Sequence, residues 1–212
     1  MPRSPLSSFR VQRLISALIR GVGLFNNGKK ARTGTLLNVG CGRWPDPAFV
    51  NLDWHWMPGV DVCWDLRKSL PFAGDRFEGI YSEHCIDGVP KGHMAFMLGE
   101  FHRGLKPGGT LRLIFCDTEI YINAYVKHRA DPSQLTPMMK ERGHRTAMEA
   151  LDWITHHPTH QTLIDFVTLE LYLKEAGFTR IERSAFQQGA RQQLLIDRPE
   201  RAFESLYVEA TK

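Results

Sequence analysis

The chain has 212 residues, 42% apolar and 24% charged, which fits one folded α/β domain with small additions and excludes a largely disordered chain. The net charge of +4 is lopsided: residues 1–33 hold Arg3, Arg10, Arg13, Arg20, Lys29, Lys30 and Arg32 and no acid, leaving 20 basic residues against 23 acidic ones elsewhere. The folded body is therefore slightly acidic, which argues against a nucleic-acid-binding face.

Val11, Leu14, Ile15, Leu18, Ile19 and Val22 recur at helical spacing. They predict a basic amphipathic helix ending near Gly21 or Gly23, with Asn26–Lys30 as a linker. Residues 1–33 thus form an N-terminal arm and residues 34–212 the main domain. The apolar stripe of the arm can pack on the domain as a lid, lie on an anionic membrane surface or dock on a partner. Cys41, Cys63, Cys85 and Cys116 form no C-x-x-C pair and match no common zinc spacing. With no spanning apolar run and no secretory h-region, reduced thiols in a cytoplasmic protein are expected.

From Thr35 the period changes. Residues 35–39, 49–53, 60–65, 77–82 and 110–115 read as five short strands. A helix over 92–104 has Met94, Met97, Leu98, Phe101 and Leu105 as its core stripe, and Lys106-Pro107-Gly108-Gly109 stops it. A helix over 117–129, a polar His-rich stretch at 130–160, a helix over 162–176 and closing strands at 178–186 and 202–208 follow. Strands joined by crossovers predict a mostly parallel sheet covered by helices.

The chemistry centres on the turn Gly40-Cys41-Gly42 after the first strand. Glycines there let backbone come close to a ligand. Asp53 ends the second strand, placed to accept from a ribose diol, and Asp65 follows the third on the same sheet edge. The third glycine of G-x-G-x-x-G is missing, and Pro45 and Pro47 shorten the crossover to Asn51, which disfavours the pyrophosphate of NAD.

Leu37-Asn38-Val39-Gly40-Cys41-Gly42 resembles motif I of class I S-adenosylmethionine-dependent methyltransferases. Asp65-Leu66 with Ser69-Leu70-Pro71-Phe72 and Arg76-Phe77-Glu78 resembles a second segment of that family, and Leu105-Lys106-Pro107-Gly108-Gly109-Thr110-Leu111 a third. The tail is similar to a bacterial branch known only as predicted methyltransferases, some associated with saccharide or envelope metabolism. The resemblance implies a Rossmann-like fold with a seven-stranded, mostly parallel sheet and helices on both faces. It also implies S-adenosylmethionine as cofactor. Gly40 and Gly42 would pass its methionine portion, Asp53 would hold the ribose, and Asp65 and Leu66 would flank the adenine. Ser82 and Glu83 would lie near the sulfonium. The family often has Glu-His shortly after the fourth strand; here Asp87-Gly88 stand in those places, so another proton acceptor is needed.

His84, Asp117 and His160 are the candidate bases. Pro158 breaks the helix that would align His156 with His160, and no metal is expected. Trp44, Trp54, Trp56 and Trp64 crowd the ligand edge as pocket wall or sheet packing. The expected activity is methyl transfer to a small-molecule or saccharide hydroxyl; the alternative is a non-catalytic module that binds S-adenosylmethionine and regulates or scaffolds a partner.

Overall fold

The computed structural model describes residues 5–22, 28–131 and 133–212, with the side chains of residues 11–20 and from residue 28 onward. Its strands are β1 (Leu36–Val39), β2 (Val50–Asp53), β3 (Val62–Cys63), β4 (Phe77–Glu83), β5 (Leu105–Cys116), β6 (Arg180–Arg183) and β7 (Ser205–Thr211). They form one sheet in the order β3-β2-β1-β4-β5-β7-β6. β7 runs antiparallel to both neighbours and the other pairs are parallel. The carboxyl ends of β1, β2 and β4 therefore share one edge, the edge on which open α/β sheets bind ligands.

The helices are α1 (Pro5–Val22), α2 (Gly28–Thr33), α3 (Lys91–Gly104), α4 (Thr118–His128), α5 (Pro137–Arg142), α6 (Ala147–His156) and α7 (Phe166–Glu175). Gly28–Lys30 of the expected linker belong to α2, which buries Ala31; residues 23–27 lie outside the described part. β3 is shorter than expected, pairing only through Val62 and Cys63, with Trp64 N making the last bond to Asp53 O. The Lys106–Gly109 segment does more than stop α3. It lies inside β5, where Gly108 N donates to Lys212 O and Lys212 N to Gly109 O.

The polar stretch 130–160 is more ordered than its composition suggests. Thr136 and Thr146 cap α5 and α6 by accepting from Met139 N and Glu149 N. Met138, Met139, Ala147, Ala150 and Ile154 then bury against Tyr121 and Ala124 of α4. The closing strand expected at 202–208 begins later, at Ser205, because residues 199–204 form a 3-10 turn.

Strand alternation sorts the sheet into two unlike faces. Leu37, Val39, Val50, Leu52, Ile80, Leu111, Leu113 and Val208 join the apolar cluster completed by Met94, Met97, Leu98 and Phe101 of α3 and Leu169 and Leu173 of α7. The expected helical cover is built here, and each fully buried side chain contributes about 1.5–3 kcal/mol. The other face carries Asn38, Asn51, Tyr81, Glu83, Arg112 and Glu209, covered largely by irregular segments with Phe49, Phe186, Leu194 and Ile196.

Arg112 anchors that second cover. Fully buried, it donates from Nε to Asp197 Oδ1 at 2.8 Å and from Nη1 to Glu209 Oε1 at 3.0 Å, and reaches the carbonyls of Ala185 and Gln188. A buried charge set of this kind tolerates loss of one member poorly. Arg112→Met should lower unfolding free energy in urea by about 3–5 kcal/mol, whereas Arg180→Met at the exposed sheet edge should change it little.

Candidate functional site

The site begins at the turn after β1, where Gly40 has φ +71° and Gly42 φ +53°. The two glycines are there for different reasons. A Cβ on Gly40 would lie 2.3 Å from Cys85 Sγ, so packing within the protein demands glycine. A Cβ on Gly42 would meet nothing closer than 3.9 Å, so there the backbone angle demands it and the space above stays open.

No helix follows this turn before β2, so its amides bond to the neighbouring strand. Gly40 N and Cys41 N donate to Leu52 O at 2.8 and 3.2 Å. Gly42 N donates to Asp53 Oδ2 at 2.9 Å, and His55 N to Asp53 Oδ1 at 2.7 Å. Behind the turn, Asn51 Oδ1 accepts from Asn38 Nδ2 and Asp46 N, and its Nδ2 donates to Asp46 O. Asp61 accepts from Asn51 N and pairs with Lys30 at 3.0 Å.

Asp53, Trp54, Asp65, Leu66, Cys85 and Gln161 line a cleft of about 380 Å³ in front of Gly40. Each Asp53 oxygen is committed to one amide and keeps a second acceptor site. Asp65 is held by its neighbour: Arg67 donates to it from the backbone at 3.0 Å and from Nε and Nη2, each at 2.9 Å. Burial alone would raise the Asp65 pKa, but these bonds and the Arg67 charge hold it below the usual carboxylate range.

A second cavity of about 360 Å³ opens on the polar face, with Asn38, Gly40, Trp44, Tyr81, Glu83 and Arg198 on its wall. Arg198 pairs with Glu83 and lies over the Trp44 ring, 4.0 Å from its centroid. Ser82, grouped with Glu83 in the sequence, lines neither space; the alternation of β4 turns it to the opposite face, where it is buried.

Beyond β4 the chain makes a sharp turn at His84, φ +47°. His84 Nε2 lies 2.9 Å from Ser205 Oγ, and its buried Nδ1 has no hydrogen-bond partner among the described residues. Donor atoms of His84, Asp87 and Cys116 lie within 4.8 Å of one another. His160 Nε2 approaches Asp87 to 3.4 Å, both side chains being buried. The segment carrying His160 is fixed here by Gln161 N and Thr162 N, which donate to Asp87 O. It fills the room beside Gly88, where a Cβ would lie 3.2 Å from Thr159 O.

Burial drives the titrations in this cluster. It pushes His84 down to about 3, with Arg201 acting in the same direction, and it pushes Asp87 up to about 6 against the pull of Arg201. His160 is lowered and Cys116 raised to about 12 for the same reason. Beside it, burial would raise Glu204, but Arg142, Tyr121 and Arg201 hold it at about 2. Asp117 is placed otherwise than its position after β5 suggested: it caps α4, its Oδ1 accepting from Glu119 N at 3.0 Å.

Sequence reasoning noticed Asp87 only as a departure and missed Cys85, Arg67, Gln161 and Arg198. The last three come from surface-like polar positions, and only folding brings Gln161 and Arg198 beside the turn. Cys85 carried no metal or redox spacing to single it out.

The structure superposes on a methyltransferase from Thermotoga maritima, described as a possible histamine N-methyltransferase, with 17% identity, TM-score 0.51, and 96% of this chain and 90% of that one covered. This is the fold of class I S-adenosylmethionine-dependent methyltransferases. A chain of the complex between the Haloferax volcanii Trm112 methyltransferase activator and a candidate methyltransferase is similar at 12% identity, TM-score 0.51, covering 100% of this chain and 99% of that one. A possible exported protein of Bordetella parapertussis is similar at 15% identity, TM-score 0.50, covering 100% and 70%. No family model and no curated protein matches the sequence.

Two outcomes follow. Gly40→Ala should lower the melting temperature more than Gly42→Ala, since only the first collides with a neighbour. His84 has a folded pKa of about 3 against 6.5 when free, so it contributes stability above pH 6.5 that is lost as the pH falls toward 3. Glu204, at about 2 against 4.5, contributes stability above 4.5 that is lost toward 2. In urea unfolding across pH, His84→Asn, which tolerates the positive φ, should flatten the upper window and Glu204→Gln the lower; an unchanged curve in either variant contradicts the assignment.

Proposed function

We propose that this protein binds S-adenosylmethionine and transfers its methyl group to a hydroxyl of a small molecule or saccharide. The observation that carries this is a single cleft holding the Asp53 and Asp65 carboxylates and Leu66 beside the glycine turn. The residues fit the cofactor. Asp53 has spare acceptor sites for a ribose diol. Asp65, with three bonds from Arg67, keeps one of about four acceptor sites for an exocyclic amine. Leu66 offers an apolar edge to the adenine, and the Gly40–Gly42 turn, open above Gly42, admits the methionine portion toward Glu83. The dinucleotide alternative lacks a helix N-terminus for a pyrophosphate between β1 and β2.

When bound, S-adenosylmethionine supplies an electrophilic methyl on a cationic sulfur. The protein's task is then to hold the acceptor oxygen in line and remove its proton. Asp87 is the base we assign: its neighbours Cys85 and Gly88 line the cleft, and burial raises its pKa to about 6, which suits proton transfer near neutrality. His160, 3.4 Å from it, orients the carboxylate. His84, neutral down to about pH 3, is a positioning residue fixed by Ser205. Trp44 and Trp54, both substantially exposed at the cavity mouths, present flat apolar faces to an incoming ring. The slightly acidic body favours such an acceptor over a nucleic acid.

Calorimetry with S-adenosylhomocysteine, and NAD as the control, tests the cofactor. Saturable binding of the first alone is expected, weakened roughly 10- to 100-fold in Asp53→Ala; binding of neither, or of NAD equally well, overturns the reading. Transfer from labelled S-adenosylmethionine into a panel of hydroxylated acceptors tests the base. Asp87→Asn should keep S-adenosylhomocysteine affinity, cut transfer by about 10²–10⁴ and remove the acidic limb of the rate profile. Wild-type rates at every pH in Asp87→Asn, His160→Gln and His84→Asn alike would exclude these side chains as the base.

A further inference from the structure

α1 docks with its polar side down. Trp56 N donates to Ser16 Oγ at 2.9 Å, and Gln12 Nε2 donates to Trp56 O at 3.2 Å. Cys63 Sγ lies against Ser16 O, and Arg20 donates to Trp54 O while its guanidinium lies over the Trp54 ring, 3.9 Å from the centroid. Gln12, Ser16 and Arg20 recur every four residues and form the docked face, with Ser16 buried and the other two half-buried. The opposite face is apolar and open: Leu14 is 72% exposed, Leu18 67%, Val11 54% and Ile15 38%. A surface helix of a globular domain ordinarily does the reverse.

The charge of this segment is equally one-sided. The first 33 residues carry seven basic residues and no acid, on a chain whose remainder is slightly acidic. Arg13 is exposed and lines, with Leu14, Ala17 and Arg20, a cavity against Trp54 and His55. An open row of apolar side chains on a segment rich in positive charge is the pattern that lies in the headgroup region of an anionic bilayer. A matched protein groove would call for point-to-point acids, whereas these charges are spread along the whole segment. No helix among the described residues is long and apolar enough to cross a membrane.

We propose that α1 lays its Val11–Leu14–Ile15–Leu18 face on an anionic lipid surface and holds the domain there as a peripheral membrane protein. Trp54, gripped by α1, is also a wall of the Asp53 cleft, so attachment through the opposite face of α1 holds that cleft one helix away from the lipid. The inference does not depend on what the cleft binds.

The test is flotation of the full chain with vesicles of phosphatidylcholine alone, or with about 30 mol% phosphatidylglycerol. Gel filtration and thermal unfolding of each variant run alongside. The expected result is binding to the anionic vesicles at least roughly tenfold stronger than to the neutral ones and weakened by salt. Leu14→Asp/Leu18→Asp should abolish it with melting temperature unchanged, because these side chains are exposed, and Arg10→Gln/Arg13→Gln should weaken it severalfold. Failure to bind anionic vesicles, or binding unaffected by Leu14→Asp/Leu18→Asp, overturns the proposal. So does a dimer that Leu14→Asp/Leu18→Asp splits, since the face would then belong to a second copy of the chain.

Discussion

The hydrogen bond from Gly42 N to Asp53 Oδ2 is the constraint around which the ligand edge is arranged. A turn that leads from a strand into a helix leaves the helix's first amides without an intrahelical partner, free for a ligand. Here the chain reaches β2 without a helix, and buried backbone groups cannot be left unpaired. The glycine turn is therefore stitched to the tip of the neighbouring strand, by Leu52 O for the first two amides and by the Asp53 carboxylate for the third. The same bond fixes the carboxylate in the cleft with its remaining lone pairs directed to whatever enters. Structural closure and ligand recognition thus rest on one side chain, and Asn51 reinforces the arrangement from behind by tying Asp46, Asn38 and Asp61 together.

The parts of this design legible in the sequence are those written in local pattern. The apolar runs gave β1, β2, β4 and β5, the Met94–Phe101 stripe gave α3, and an acid after each of two strands marked the ligand edge. The parts that were not legible depend on contacts distant along the chain. Thr136 and Thr146 cap helices inside a stretch whose composition reads as loop, and only packing against Tyr121 explains why the few apolar residues there suffice. β5 begins at Leu105, which pairs with Phe77, and its Gly108 and Gly109 bond to Lys212, 104 and 103 positions away. Asp117 resembled a site acid by position alone, and a local cap bond claims it. Whether Asp87 matters depends on His160, which no spacing rule would bring to it.

The buried cluster behind β4 shows how one fold sets several protonation states with little more than exclusion of water. His84, Asp87, His160 and Cys116 are all shifted chiefly by burial, and each shift favours its neutral form. Arg201 and Arg142 supply the charge, and Glu204 absorbs it. The domain thus sets Asp87, a carboxyl raised to about 6, near a ligand edge whose acids, Asp53 and Asp65, are fixed by hydrogen bonds. That division suits a reaction needing one proton removed near neutral pH while the ligand is held by permanent acceptors.

The central claim is that the turn and Asp53 together form a nucleoside site, and a crystal structure with S-adenosylhomocysteine reads it most directly. The account predicts the ribose hydroxyls within hydrogen-bond distance of Asp53, the adenine beside Asp65 and Leu66, and the Gly42–Asp53 bond intact. A nucleoside bound away from Asp53, or a turn that must break from β2 to admit it, would contradict the account.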